Sequence, residues 1–350
     1  MARTRGGRTA KRLLALATAL GIGIGMTSAV PASAAATLTI SPPTLKVAVE
    51  HSAYSVGLSA SGGTAPYTFA LVSGSWPAGV SLSPSGTVSG TPSVVGRFVV
   101  TVGASDSLGD SGQHTYTLTV QSPYQHAVMV DHPVAYYRLG ERVGATVMID
   151  SSTGRHSGTY AGGGGYTLRS AGAIPDDTNT AVSDNGNAAG VGLGSGTALP
   201  SGNAARTIET FYRAPTGSTQ QTALVDWGTG SHLNVLGLCV WGGTTVTADY
   251  YQGYQEFSTP AAINLTDGNW HLIDLTWDGT MLHAYADGRH LGDAAPDGPL
   301  NTSPSTGLRI GYWVDTVINK PTVGGLDEVA VYGTALPAKR IAAHWAARSR

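Results

Sequence analysis

Cysteine is nearly absent: Cys239 is the only one, so no internal disulfide is available and the fold must be held by buried side chains. Within Val235-Leu236-Gly237-Leu238-Cys239-Val240-Trp241 that thiol reads as a small core side chain. Charge is scarce as well, at 12% of residues, with only four lysines, and no basic run follows residue 12. Nucleic acid and anionic membrane are therefore poor partners. Glutamate is rare after the first 34 residues: Glu50, Glu141, Glu209, Glu256 and Glu328 are all there are. None sits in the Glu-x-Asp-x-x-Glu spacing that aims alternate carboxylates of one strand into a shared cleft. Without that pair the acid and nucleophile of a glycosidase are missing, and a hydrolase or lyase is the weakest reading. The ten histidines are scattered, with no His-Glu-x-x-His, so the sequence predicts no zinc site. Gly109-Asp110-Ser111-Gly112 reads as a hairpin turn rather than a serine elbow. Gly162 to Gly165 lacks the Gly-Lys-Ser/Thr of a phosphate cradle and reads as a loop.

What is present is glycine, 48 of 350 residues, a composition that suits turn-rich β-structure. Residues 1–34 run from Arg3, Arg5, Arg8, Lys11 and Arg12 through the apolar stretch Leu13 to Met26, then to Ala32-Ser33-Ala34. That order is a secretory signal cleaved after Ala34, and its apolar run is too short to span a bilayer. Cleavage removes five of the 20 basic residues and leaves 22 acidic ones, a net charge near -7. The chain ends Ala346-Ala347-Arg348-Ser349-Arg350 with no wall-sorting tail, so the expectation is a secreted, extracellular protein with no membrane insertion.

From residue 37 to 121 every second residue is apolar in short sets: Leu45, Val47, Val49; Tyr54, Val56, Leu58; Tyr67, Phe69, Leu71; Phe98, Val100, Val102; Tyr116, Leu118, Val120. Turn residues such as Ser61-Gly62-Gly63 and Pro84-Ser85-Gly86 separate them, the pattern of a small β-sandwich. The segments Gly62-Gly63-Thr64-Ala65-Pro66-Tyr67, Trp76-Pro77-Ala78-Gly79-Val80 and Gly86-Thr87-Val88-Ser89-Gly90-Thr91-Pro92 resemble the Ig-type, cadherin-like domains of bacterial surface and secreted proteins. The resemblance implies a spacer with no active site of its own. Gln121-Ser122-Pro123 interrupts the alternation and marks the domain junction.

Residues 124–350 suffice for a jelly roll. Strand-like segments run Thr207 to Tyr212, Ala223 to Trp227, Val235 to Trp241, Val246 to Tyr251, His271 to Trp277, Met281 to Ala286, Leu308 to Trp313 and Asp327 to Tyr332. A short helix closes the chain, with Pro337 in its first turn and Ile341 and Trp345 on one face. Asp267-Gly268-Asn269-Trp270-His271-Leu272, Trp277-Asp278-Gly279 and Asp287-Gly288 read as tryptophan anchors between tight Asp-Gly turns. With Tyr136-Tyr137-Arg138-Leu139-Gly140-Glu141 and Gly324-Gly325-Leu326-Asp327-Glu328-Val329, this set resembles the laminin G-like, concanavalin A-like jelly roll. The expected fold is thus all-β: an Ig-like sandwich, then a concanavalin A-like sandwich with a short C-terminal helix. The resemblance also implies a structural calcium at Asp327.

Sugar recognition needs aromatic faces beside hydroxyl-binding groups. The richest local set is Trp241, Tyr250, Tyr251 and Tyr254, interleaved with Asp249, Gln252 and Gln255. Tyr250 and Tyr251, adjacent on one strand, must point to opposite faces. The sequence therefore reads as a secreted, non-catalytic binder of glycan, with an extracellular scaffold contacting protein as the alternative.

Overall fold

Alternation becomes strand pairing over residues 39–121. The computed structural model describes residues 36–161, 164–186, 190–250, 253–312 and 322–349, so the expected leader, Tyr251 and Trp313 lie outside the described residues. Here one sheet runs Ala48–Val49, Ser111–Gln121, Gly96–Ser105, Thr68–Gly74, and a second runs Tyr54–Gly57, Thr87–Gly90, Val80–Leu82. Between them are buried Leu38, Ile40, Phe69, Val88, Val100, Val102, Tyr116, Leu118 and Val120. Two members of the apolar sets depart from the pattern. Val47 and Leu71 are exposed; the register shifts between Leu71 and Ser73, and such an irregularity lifts a side chain off its alternating face.

After residue 122, where the alternation predicts only a junction, the chain forms a helix. Helix α1, Pro123–Val130, starts because the Ser122 hydroxyl accepts the Gln125 amide while Pro123 gives up an N–H the first turn has no use for. Two eight-stranded sheets follow, antiparallel throughout the described pairings. The back sheet runs Tyr166–Ala171, Thr180–Asn185, Val323–Tyr332, Arg206–Arg213, His271–Trp277, Leu282–Ala286, Arg289–Ala294, and Ala135–Tyr137 also pairs with Val323–Tyr332. The front sheet runs Val147–Met148, Gly158–Tyr160, Gly192–Gly194, Leu308–Ile310, Gln221–Gly228, Val235–Trp241, Thr245–Asp249, Tyr254–Ser258. Inward residues of both, among them Ile208, Leu224, Trp227, Leu238, Val246, Leu275, Trp277 and Val329, fill the core between them.

Part of the outer side of the back sheet is also buried. Helix α1 and helix α2, Ala338–Ala347, cover Phe211, Trp270, Leu272, Tyr285 and Tyr332. In α2 the predicted inward residue Ile341 is fully buried and Trp345 packs at the margin of that cluster. Pro337 caps the helix rather than opening its first turn.

The motif around Trp270 and Trp277 is explained by this packing. Asp287 and Gly288 both take positive φ, 52° and 73°, the conformation of the two central residues of a type I′ hairpin turn. Asp287 then holds His271 Nδ1 at 2.8 Å while Asp267 holds Nε2 at 3.1 Å, tying the turn to the loop before the strand. Gly324-Gly325 lies within a strand: a Cβ on Gly325 would come within 2.6 Å of Trp270 Cη2, so the glycine makes room for the indole.

Candidate functional site

The outward face of the front sheet can be read row by row from the registers. One row crosses Thr159, Leu193, Arg309, Asp226, Gly237, Asp249 and Tyr254. The next holds Ala223, Cys239, Thr247 and Glu256, and the third Gln221, Trp241, Thr245 and Ser258. The middle of the face is closed: Arg309 and Asp226 form a buried ion pair, and Cys239 and Thr247 are buried. Toward the edge strand it opens, with Tyr254 55% and Trp241 44% exposed and Glu256 and Ser258 in water.

Trp241 and Tyr254 therefore share one side of the sheet. From the register, four residues separate their rows along the strands, about 13 Å, and two strand spacings separate them across, about 10 Å. Tyr250 is not with them. Tyr250 is buried in the inter-sheet core, where its hydroxyl accepts from Gln255 Nε2 at 3.2 Å, so its ring is withdrawn from any stacking surface. Tyr251 lies outside the described residues. Thr245, Glu256 and Ser258 are polar members of the site that the aromatic pattern does not mark; two-residue spacing from Tyr254 puts Glu256 and Ser258 on its face.

Family comparison agrees with this architecture. Residues 36–121 match the family model described as "Putative Ig domain", and residues 184–342 match that of the concanavalin A-like lectin/glucanases superfamily. The chain joins an Ig-type domain to a laminin G-like jelly roll. No curated protein matches it. Solved structures that resemble it in part include the binding domain of botulinum neurotoxin serotype G, at 14% identity and TM-score 0.44 over 61% of this chain and 50% of that one. The chain thus spans half the length of that binding domain. Another is domain 4 of AbnA, an extracellular arabinanase from Geobacillus stearothermophilus in complex with arabinotriose: 17% identity, TM-score 0.45, 61% of this chain and 97% of that one. A third is the carbohydrate-binding module of the Ruminococcus gnavus IT-sialidase bound to α2,3 sialyllactose, at 15% identity and TM-score 0.34, covering 40% and 82%.

The laminin G-like domain does oppose two acids, but not in a groove. Glu209 and Asp274 are cross-strand neighbours on the outer side of the back sheet, both at 0% exposure beneath the helices. Burial pushes the Glu209 carboxyl up, but His344 and the Tyr124 hydroxyl outweigh it and hold the group below the usual carboxylate range. Asp274 goes the other way: burial, then the charge on Glu209, raise it well above that range. Substrate has no access to a pair at zero exposure, and its partners are structural. Tyr124 of α1 donates to Glu209 at 2.6 Å, and His344 of α2 lies 2.7 Å from Glu209 and 2.9 Å from Asp131.

The second buried set surrounds Arg138. Its guanidinium reaches Glu328 at 2.8 Å and Asp177 at 2.6 Å, and Tyr136 donates to the other Glu328 oxygen. Asn179 Nδ2 donates to Asp327 at 3.3 Å and to Glu328 at 3.1 Å, which places two consecutive strand residues on one side. Glu328 makes this possible with φ of 54°, where the register with Arg206–Arg213 shifts.

These contacts decide the fit of calcium to Asp327. Its carboxylate is buried and already accepts from the Ala173 amide at 2.8 Å and from Asn179, and the nearby cation is a guanidinium. Calcium needs six or more oxygen ligands, whereas the groups hydrogen-bonded to the Asp327 carboxylate are N–H donors, so the residues present do not fit it. We expect calcium added to metal-stripped protein to leave the melting temperature unchanged; a rise that Asp327→Asn abolishes would reverse this.

Proposed function

We propose that the protein is an exported, non-catalytic glycan binder, with the laminin G-like domain holding sugar at the open edge of its front sheet and the Ig-type domain serving as spacer. The observation that carries this reading is the pair Trp241 and Tyr254, exposed on one face with Thr245, Glu256 and Ser258 beside them. Aromatic faces stack on the C–H surface of a pyranose, and the hydroxyl and carboxylate groups accept or donate to its OH groups. The separation of the two rings suits a short oligosaccharide better than a single sugar. Among the described residues no helix is long and apolar enough to cross a membrane.

The test is affinity electrophoresis and glycan-array binding. Trp241→Ala is expected to weaken glycan binding at least tenfold, and Tyr254→Ala by a smaller factor, because truncated aromatic anchors typically cost 2 kcal/mol or more, roughly thirtyfold. Tyr250→Phe should bind as the unaltered protein does. No retention by any polysaccharide would overturn the reading and leave an extracellular protein partner in its place. Release of reducing ends by the purified chain would reverse its non-catalytic part.

A further inference from the structure

We propose that the hairpin of Leu282–Ala286 and Arg289–Ala294 is a binding site for a zinc-class divalent metal ion, with His283, His290 and Asp293 as its ligands. This site lies on the back sheet and is independent of the glycan reading. His283 Nδ1 is 2.5 Å and His290 Nε2 is 2.6 Å from the same oxygen, Asp293 Oδ1. One donor atom from each of the three lies within 4.8 Å of the others. Donors bound to one zinc at about 2.0–2.2 Å can be no more than about 4.4 Å apart, so small side-chain rotations bring all three into range. Each imidazole now directs a ring nitrogen at the carboxylate; a metal would take the place of the protons those contacts share.

The strand geometry makes the cluster. His283 pairs directly with Asp293, and Tyr285 with His290. His290 and Asp293 are three residues apart, and simple alternation would send them to opposite faces. The register shifts between Ala284 and Tyr285, where Leu291 is the additional residue, and this returns both side chains to one side. The same irregularity hides the site from a search for spaced motifs.

The surroundings suit a metal. Asp278 Oδ2 stands 3.5 Å from His283 Nε2, the nitrogen that faces away from Asp293, and Asp278 is itself fixed by the Thr280 amide and hydroxyl and the Met281 amide. A carboxylate behind a ligating histidine is the usual outer partner: it keeps the proton on the far nitrogen and frees the near one for the metal. The His290 ring rests against Tyr285, centroids 5.2 Å apart. His290 and Asp293 are exposed and His283 partly so, which gives an ion a path in. Two imidazoles and one carboxylate are borderline donors that favour zinc, copper or nickel over calcium, and they leave a coordination position for water or an outside ligand.

The experiment is calorimetric titration of the metal-stripped full chain with zinc chloride, with the visible absorption of a cobalt(II)-loaded sample as a second readout. One equivalent should bind, and excess calcium should not displace it. His283→Ala and His290→Ala should each weaken binding at least tenfold and remove the cobalt bands, with circular dichroism confirming that these surface variants stay folded. Asp293→Asn, which preserves the side-chain shape, should also weaken it. His126→Ala, remote from the hairpin, should leave it unchanged. Absence of zinc binding in the unaltered protein would overturn the proposal. So would binding that survives in the His283→Ala/His290→Ala double variant, since the metal would then be held elsewhere.

Discussion

Replacing Arg138 with Met is expected to destabilise the laminin G-like domain by about 3–5 kcal/mol, because it removes the cation from beneath two buried carboxylates. Glu328 is at 0% exposure, and its side chain accepts from Arg138, Asn179 and Tyr136. Burial pushes this carboxyl up, and Arg138 is the chief group that pulls it back. Asp177, its side chain 1% exposed, loses the same partner. In a domain of this size the loss corresponds to a fall in melting temperature of roughly 6–20 °C, measurable by calorimetry. A double variant, Arg138→Met with Glu328→Leu, should recover part of the loss, since a buried pair exchanged for apolar groups of like volume is often tolerated while half a pair is not. A melting temperature within about 2 °C of the unaltered protein would show that the network does not hold the domain.

The second large effect is a pH window set by His344. Both nitrogens of this fully buried ring face carboxylates, Glu209 on one side and Asp131 on the other, so the folded state favours the imidazolium. Burial pulls the His344 pKa down, but Glu209 outweighs it and the net direction is upward. A group raised on folding stabilises fully below its ordinary pKa, about 6.5 for histidine, and that contribution is lost as pH rises through the folded value. Glu209, depressed on folding, contributes above its ordinary value of 4.5 and loses its contribution as pH falls through the lower folded one. Asp274, which faces Glu209 and is raised, works against it as pH climbs above 3.8. His344→Leu is therefore expected to cost about 3–5 kcal/mol near pH 6 by leaving the buried Glu209 carboxylate without its cation, while Asp131 keeps Arg340 at 2.8 Å. It should also flatten the decline in stability above pH 6.5. Chemical denaturation across pH 5–9 checks both; equal slopes for the two proteins above pH 6.5 would exclude His344 as the source.

Both effects arise where the sequence said least. The alternating sets around Phe69, Val100 and Leu118 announce a sandwich because a strand turned by one residue would expose its whole apolar set. Trp277 and the Asp287-Gly288 turn were legible for similar reasons: a large apolar ring needs a core, and a tight hairpin needs positive φ. Helix α1 was not, because its eight residues carry too little periodicity and Ser122-Pro123 ends a strand as readily as it starts a helix. Of the four aromatics picked for sugar binding, the front sheet brings Trp241 and Tyr254 to one surface and takes Tyr250 inside. Parity along one strand says that neighbours diverge, not which one faces water.

The sequence by itself determined the two β-sandwiches, the terminal helix and the scarcity of exposed charge, all of them consequences of local pattern and composition. Only the tertiary structure decided that Glu209 meets Asp274 and His344, that Arg138 meets Glu328, and that His283, His290 and Asp293 converge. Those meetings join residues up to 190 positions apart or depend on a one-residue slip in register, and alternation carries no record of either.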